Sequence, residues 1–319
     1  MDKKIGRKIT IIGAGSVGST IAYSLSQRSH ASEIVLIDVN TARAKGEALD
    51  IAQSTSFRDP IRVKFGDYDE AKNSDIVIIT SGIGRKPGQT RLELTKTNVG
   101  IIKEIAPQIT KAAPNALYII VSNPVDILTY VFMKVSGLPE NQIIGTGTIL
   151  DSARLKCILA QKLNIAQKNV HSYVFGEHGD SSFIPWSTIR VSGVSIDEYI
   201  SLVKQKGLPV DPIDKDEIFY YVQKSGGEII KDKGATFYGI AASVMNLVNM
   251  LTSAYDSITC CSTMMHGEYG VNDVCLSCLT IIGPNGVQGK IPMPMTNEEI
   301  DKMQHSERVL RDIIEGIDI

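Results

Sequence analysis

The sequence predicts an α/β protein, with a doubly wound parallel sheet in its first half and a mixed α+β arrangement in its second. Five short β-branched runs, at 8–13, 33–38, 61–66, 75–80 and 116–122, are mostly separated by amphipathic segments of about 10 to 20 residues. The runs are apolar almost throughout rather than alternating, as strands covered on both faces must be. Near Asn141 to Thr148 the rhythm changes, and helices and strands then follow one another without βαβ spacing.

KITIIG at 8–13 opens the sheet and is followed by a helix-compatible stretch through Gln27. EIVLID, IRVKFG, DIVIIT and ALYIIVS supply the next four strands. In the second half a helix is expected from Leu150 to Leu163, with strands in RVSGVS, TCCSTMM and VCLSCLTII. Asp211 to Lys233 and Phe237 to Ser253 read as helices. The segment Asn297 to Ile314 is an amphipathic helix that Thr296 or Asn297 can cap, and Glu298, Glu299 and Asp301 suit the positive end of its dipole. The 319 residues are enough for two cores of about 150 each, and the change of rhythm divides the chain into 1–147 and 148–319. No flexible linker separates the halves, so they are expected to be tightly joined around a cleft.

Composition excludes several classes of function. With 43% hydrophobic and 21% charged residues the chain is neither disordered nor a collagen-like or disulfide scaffold. A net charge of −2 leaves no basic excess for nucleic acid or an anionic membrane. No stretch approaches the roughly 18 apolar residues of a membrane span. The apolar run after the basic N-terminus stops at Gly13, too early for a signal peptide. Five cysteines, an odd number without framework spacing, fit free thiols in a reducing cytosol. Cys260, Cys261, Cys275 and Cys278 are close in sequence, but their spacing on strands does not suit a zinc site, and no metal is expected.

Directly after the first strand stands Gly13-Ala14-Gly15-Ser16-Val17-Gly18. Gly13 serves a tight turn, Gly15 lets backbone approach a pyrophosphate, and Gly18 lets the helix pack closely on the strand. The helix N-terminus then offers free N–H groups and a positive dipole to the phosphates. Asp38, ending the second strand, can accept hydrogen bonds from an adenosine ribose and would repel a 2′-phosphate. A Rossmann-type domain binding NAD rather than NADP is the expectation.

Four more segments carry chemistry: GRKPGQTRLEL at 84–94, SNPVD at 122–126, LDSARL at 150–155 and GEHGDSSFIPW at 176–186. Reduction of a 2-oxo acid needs an acid for the carbonyl oxygen, a cation for the carboxylate and stabilisation of the developing alkoxide. His178 is the natural proton donor, because imidazole alone titrates near neutrality unperturbed. Asp151 can hold the imidazole tautomer. Arg154, three residues on, shares its helix face and can fork onto a carboxylate. Taken alone, Asp151 and Arg154 also fit an ordinary helical ion pair. Gly84, Pro87 and Gly88 precede Arg91 and give the loop the hinges of a lid.

These segments, with KGATFYGIA at 233–241, GEYGVNDV at 267–274 and HSERVLRDII at 305–314, resemble the L-lactate and malate dehydrogenase family over nearly the whole chain. The resemblance implies His178 as acid and base, Asp151 as its orienting partner, Arg154 as carboxylate anchor and Arg91 as carbonyl polariser on a closing loop. It implies Asn123 beside the substrate oxygen or nicotinamide, Thr236 in the pocket of a substrate domain at 148–319, and a homotetramer. Lys156 and His171 match positions that bind fructose 1,6-bisphosphate in bacterial lactate dehydrogenases, although Lys156 lacks an arginine's fork.

Substrate identity divides the signals. Arg85, six residues before Arg91, stands where malate dehydrogenases pair the second carboxylate of oxaloacetate, and Gln89 cannot neutralise it. GTGTILDSARL, SNPVDILTYV and Thr236 resemble the lactate enzymes, so the chain as a whole favours lactate over malate. A catalytically inactive nucleotide-binding protein is the third reading. Joint retention of His178, Asp151, Arg154 and Arg91 argues against it.

Overall fold

The structure is a computed structural model and describes residues 7–27, 31–57, 61–84 and 91–319, without the side chain of Arg91. In the first half the elements alternate: β1 (Lys8–Ile12), α1 (Ser16–Ser26), β2 (Glu33–Ile37), α2 (Thr41–Ser54), β3 (Arg62–Phe65), β4 (Ile76–Ile79), α3 (Arg91–Ala112), β5 (Leu117–Ile120), α4 (Val125–Ser136) and β6 (Ile143–Gly145). These strands are parallel in the order β3-β2-β1-β4-β5-β6. The order reverses direction between β1 and β4, so the strand ends there open a crevice in which ligands of such sheets bind.

Alternate residues of each strand enter different cores. Ile9, Ile11, Ile34, Leu36, Ile76 and Ile78 face α1 and the later helix Tyr238–Leu251, whereas Ile12, Val35, Val77 and Ile79 face α3 and α4. This two-sided burial explains the uninterrupted apolar runs, and each fully buried isoleucine contributes about 1.5 to 3 kcal/mol.

The second half contains α5 (Ile149–Lys162), β7 (Val170–His171), β8 (Arg190–Val191), β9 (Val194–Ser195), α6 (Ile196–Gln205), α7 (Lys215–Lys233), α8 (Tyr238–Leu251), β10 (Ser257–His266), β11 (Asn272–Gly283), β12 (Gly286–Lys290) and α9 (Asn297–Glu315). The sheet does not end at β6. Ser262 of β10 pairs with Gly145 of β6, and β10, β11 and β12 add an antiparallel ribbon to give nine strands among the described residues. RVSGVS, expected as one strand, is instead the hairpin β8–β9. Ser192 and Gly193 both have positive φ, of 49° and 90°, and form the two-residue turn that reverses the chain. The helix expected from Asp211 begins at Lys215, because Asp214 caps it by accepting from the N–H groups of Asp216 and Glu217. At α9 a full capping box forms between Thr296 and Glu299.

Candidate functional site

A cleft of about 520 Å³ runs from Val17 at the start of α1 and the carboxyl ends of β4 and β5 to α5, α7 and the turn before α8. At its cofactor end lies the glycine turn. Gly13 has φ +105°, and a Cβ there would come within 2.6 Å of the Thr80 hydroxyl. A Cβ on Gly18 would approach the Gly13 carbonyl oxygen to 1.8 Å, so α1 can sit this close to the turn only with glycine. Gly15 has open space within 4 Å on its side-chain face. No side chain caps α1 and its first turn carries no acid, leaving its N–H groups and positive dipole for an anion. These residues fit a dinucleotide pyrophosphate.

Asp38 accepts the Ala14 N–H at 2.6 Å on Oδ2 and the Asn40 N–H at 2.8 Å on Oδ1. It therefore fixes the glycine turn itself, a contact not expected from its ribose assignment. Each oxygen retains a lone pair for a ribose hydroxyl.

At the opposite end the expected catalytic side chains meet. The His178 Nδ1–H donates to Asp151 Oδ2 at 2.6 Å, and Arg154 donates to Asp151 Oδ1 at 2.9 Å. Asp151 and Arg154 face one way because they are three apart on α5. His178 lies on the irregular segment after β7, tied down by backbone bonds between Gly176 and Ser277 and between Phe175 and Phe183. Its side chain remains 28% exposed toward the cleft, while those of Asp151 and Arg154 are 10% and 13% exposed. The anionic Asp151 raises the His178 pKa to about 9 against the opposing effect of desolvation. Burial alone would raise the Asp151 pKa, but the charge and hydrogen bond of His178, with Arg154, hold it below its ordinary value. The site thus stores a proton on an imidazolium whose Nε2 is left to exchange it.

Asn123, Thr236 and Leu150 also line the cleft. Thr236 lies in the turn after α7, where Lys233 Nζ sits 3.8 Å and 4.0 Å from the ring centres of Phe237 and Tyr238. This double cation–π contact braces the turn from outside. Two residues not expected from the sequence take part. Asn98, 1% exposed on α3, accepts the Ile83 N–H at 2.9 Å and donates to the Asn123 carbonyl at 2.7 Å. Asp126, 2% exposed, accepts the His178 main-chain N–H and the Ser262 hydroxyl. Asp126 is the one carboxylate in the largely apolar helix VDILTYVFM, which is its signal in the sequence, whereas Asn98 shares its buried face with Thr95 and carries none.

Arg85, Pro87, Gly88 and Gln89 lie outside the described residues, as does the side chain of Arg91. Lys156 and His171 do not line the cleft. Lys156 is half-buried on α5, where desolvation lowers its pKa, and it has no ion-pair partner among the described residues. His171 is exposed on β7, opposite Arg190. Cys260, Cys261, Cys275 and Cys278 are buried, and desolvation pushes the Cys261 and Cys278 thiols up to about 12. Among the described residues no group of three or more His, Cys, Asp or Glu is arranged to hold a metal, and no helix is long and apolar enough to cross a membrane.

Comparison with known proteins finds relatives along nearly the whole chain. Residues 7–145 match the lactate/malate dehydrogenase NAD binding domain, and residues 148–318 match the lactate/malate dehydrogenase alpha/beta C-terminal domain. An L-lactate dehydrogenase of Thermoanaerobacter pseudethanolicus is 42% identical over 312 residues, covering 98% of this chain and 99% of its own. One from Acetivibrio thermocellus is 40% identical over 318 residues, covering 100% and 99%. The ligand-bound crystal structure of the minor L-lactate dehydrogenase from Enterococcus mundtii superposes with a TM-score of 0.93 at 36% identity, over 99% of this chain and 100% of that one. The chain is a member of the lactate/malate dehydrogenase family.

Proposed function

We propose that this protein is an NAD-dependent L-lactate dehydrogenase that interconverts pyruvate and L-lactate. The observation that carries the reading is the His178–Asp151–Arg154 array at one end of a cleft whose other end is the glycine turn of an NAD-binding domain. The two matched segments support a domain junction at 147/148.

Arg154 binds the substrate carboxylate through its fork and so orients the ketone. His178 gives its Nε2 proton to the ketone oxygen, and Asp151 holds the ring throughout. The cofactor, when bound, supplies the hydride that C2 takes up, so that hydride and proton together convert ketone to alcohol. Asn123 borders the substrate oxygen or the nicotinamide, Thr236 lines the substrate pocket, and Arg91 polarises the carbonyl from the first turn of α3. Exclusion of water from the cleft by bound substrate and cofactor strengthens each of these interactions.

One residue favours a second reading. Arg85 suits the distal carboxylate of oxaloacetate, and a charge-assisted bond there is worth about 1.5 to 3 kcal/mol, or roughly 10- to 100-fold in preference. Arg85→Gln is therefore expected to lower kcat/KM for oxaloacetate by that factor and to leave pyruvate nearly unchanged. If pyruvate falls as far as oxaloacetate, Arg85 is not a selector of the distal group.

We further propose a homotetramer in a reducing cytosol, the latter supported by five cysteines that are all free thiols. Half-buried Lys156, without an ion-pair partner among the described residues, suits an anionic effector together with His171. Millimolar fructose 1,6-bisphosphate is expected to lower the apparent KM for pyruvate, and an unchanged KM would leave the two residues as ordinary surface.

A further inference from the structure

Asp126 is a buried carboxylate for which proton and hydride transfer have so far required no role. It stands in the first turn of α4, three residues after Asn123, and is 2% exposed. Its Oδ2 accepts the main-chain N–H of His178 at 2.7 Å, and its Oδ1 accepts the hydroxyl of Ser262 at 2.5 Å. Ser262 belongs to β10, at the residue that pairs with Gly145 of β6. One side chain therefore ties together the helix that follows Asn123, the strand that extends the sheet and the segment that carries His178.

Hydrogen bonding alone does not require an acid at this place. An asparagine could accept the His178 N–H with its carbonyl oxygen and donate to the Ser262 oxygen with its amide, without the desolvation cost of a buried carboxyl group. What aspartate adds is negative charge, favoured by the N-terminal dipole of α4. The charges facing His178 are Asp151 at its ring, Arg154 behind Asp151, and Asp126 at its main chain, with Glu177 close to Asp126. When a substrate carboxylate engages Arg154, that cation is shared, and a second anion near the imidazolium preserves the balance.

We propose that Asp126 is a positioning residue which, ionised, clamps the His178 main chain to α4 and joins Asp151 in keeping the imidazolium protonated until it gives its proton to substrate. This rests on the reading of His178 as the acid. Burial raises the Asp126 pKa to about 6, so at neutral pH and above it carries the charge this role needs.

The test compares full-length wild type with Asp126→Asn and Ser262→Ala, following kcat/KM for the oxo acid against pH and the His178 ring titration by NMR, assigned with His178→Asn. Without the anion, Asp126→Asn should move the alkaline loss of activity and the His178 titration down by about 0.5 to 1 pH unit. NADH affinity should stay within about twofold, because the change lies outside the pyrophosphate cradle. Ser262→Ala removes a donor that offsets the carboxylate charge, so both readouts should move up by about 0.3 unit. A merely structural bond would lower thermal stability and leave both where they are in wild type, which overturns the proposal. Should Asp126→Asn fail to fold, an unmoved titration in Ser262→Ala overturns it alone. Wild type that reduces neither pyruvate nor oxaloacetate breaks the functional reading instead, and the NMR titration then still decides the role of Asp126.

Discussion

Replacement of His178 by asparagine is expected to lower kcat for oxo-acid reduction by about 10²- to 10⁴-fold, the usual contribution of a positioned general acid. NADH affinity should remain near wild type, since the imidazole stands at the substrate end of the cleft and α1 at the other. Asp151→Asn should be milder, because the proton donor survives while its orientation and charge partner are lost. The pH dependence follows from the sign of the shift. The His178 pKa is raised above its ordinary 6.5 to about 9, so the ring stays protonated through neutrality. Reduction should accordingly be flat near neutral pH and fall as pH rises through about 9. Oxidation of the hydroxy acid needs the neutral ring and should rise over the same interval. Steady-state rates in both directions across pH 6 to about 10.5 check this, and a reduction profile that falls near 6.5 would remove the Asp151 pairing from the account.

Arg154→Leu should raise the KM for the oxo acid and depress kcat/KM by roughly 30- to 4,000-fold, equivalent to the about 2 to 5 kcal/mol lost when one partner of a buried charged pair is truncated. Two effects combine there. The substrate carboxylate loses its fork, and Asp151 loses the donor bonded at 2.9 Å to Oδ1. Arg154→Lys separates them: charge remains, the fork does not, and an intermediate kcat/KM is expected. Rates, substrate KM and NADH binding measured on both variants decide the matter. Equal activity of the lysine variant and wild type would mean that charge alone holds the carboxylate.

Much of this was legible in the sequence because it rests on local pattern. The strands at Ile9, Ile34 and Ile76 are apolar on both faces since helices cover both, and that pattern survives in one dimension. The glycine turn is equally local, as is the three-residue spacing of Asp151 and Arg154. Apart from the ten-residue α6, which Ser195 caps, the elements that escaped are very short or depend on distant partners. β6 has three residues, and β8 and β9 have two each, too few for any period. The continuation of the sheet hangs on the pairing of Ser262 with Gly145, which no run of residues announces. Asp126 reaches His178 across 52 positions and Ser262 across 136, so its place in the site is a property of tertiary packing. Asn98 likewise acts through Ile83 and Asn123, 15 and 25 positions away.

The central claim is that this cleft reduces a short 2-oxo acid with NADH and prefers pyruvate. Its most direct test is kcat/KM of the wild-type protein for pyruvate and for oxaloacetate with NADH, with the chirality of the hydroxy acid determined. The account predicts L-lactate as product and a higher kcat/KM for pyruvate. A higher value for oxaloacetate, brought below that for pyruvate by Arg85→Gln, would contradict it and make the protein a malate dehydrogenase.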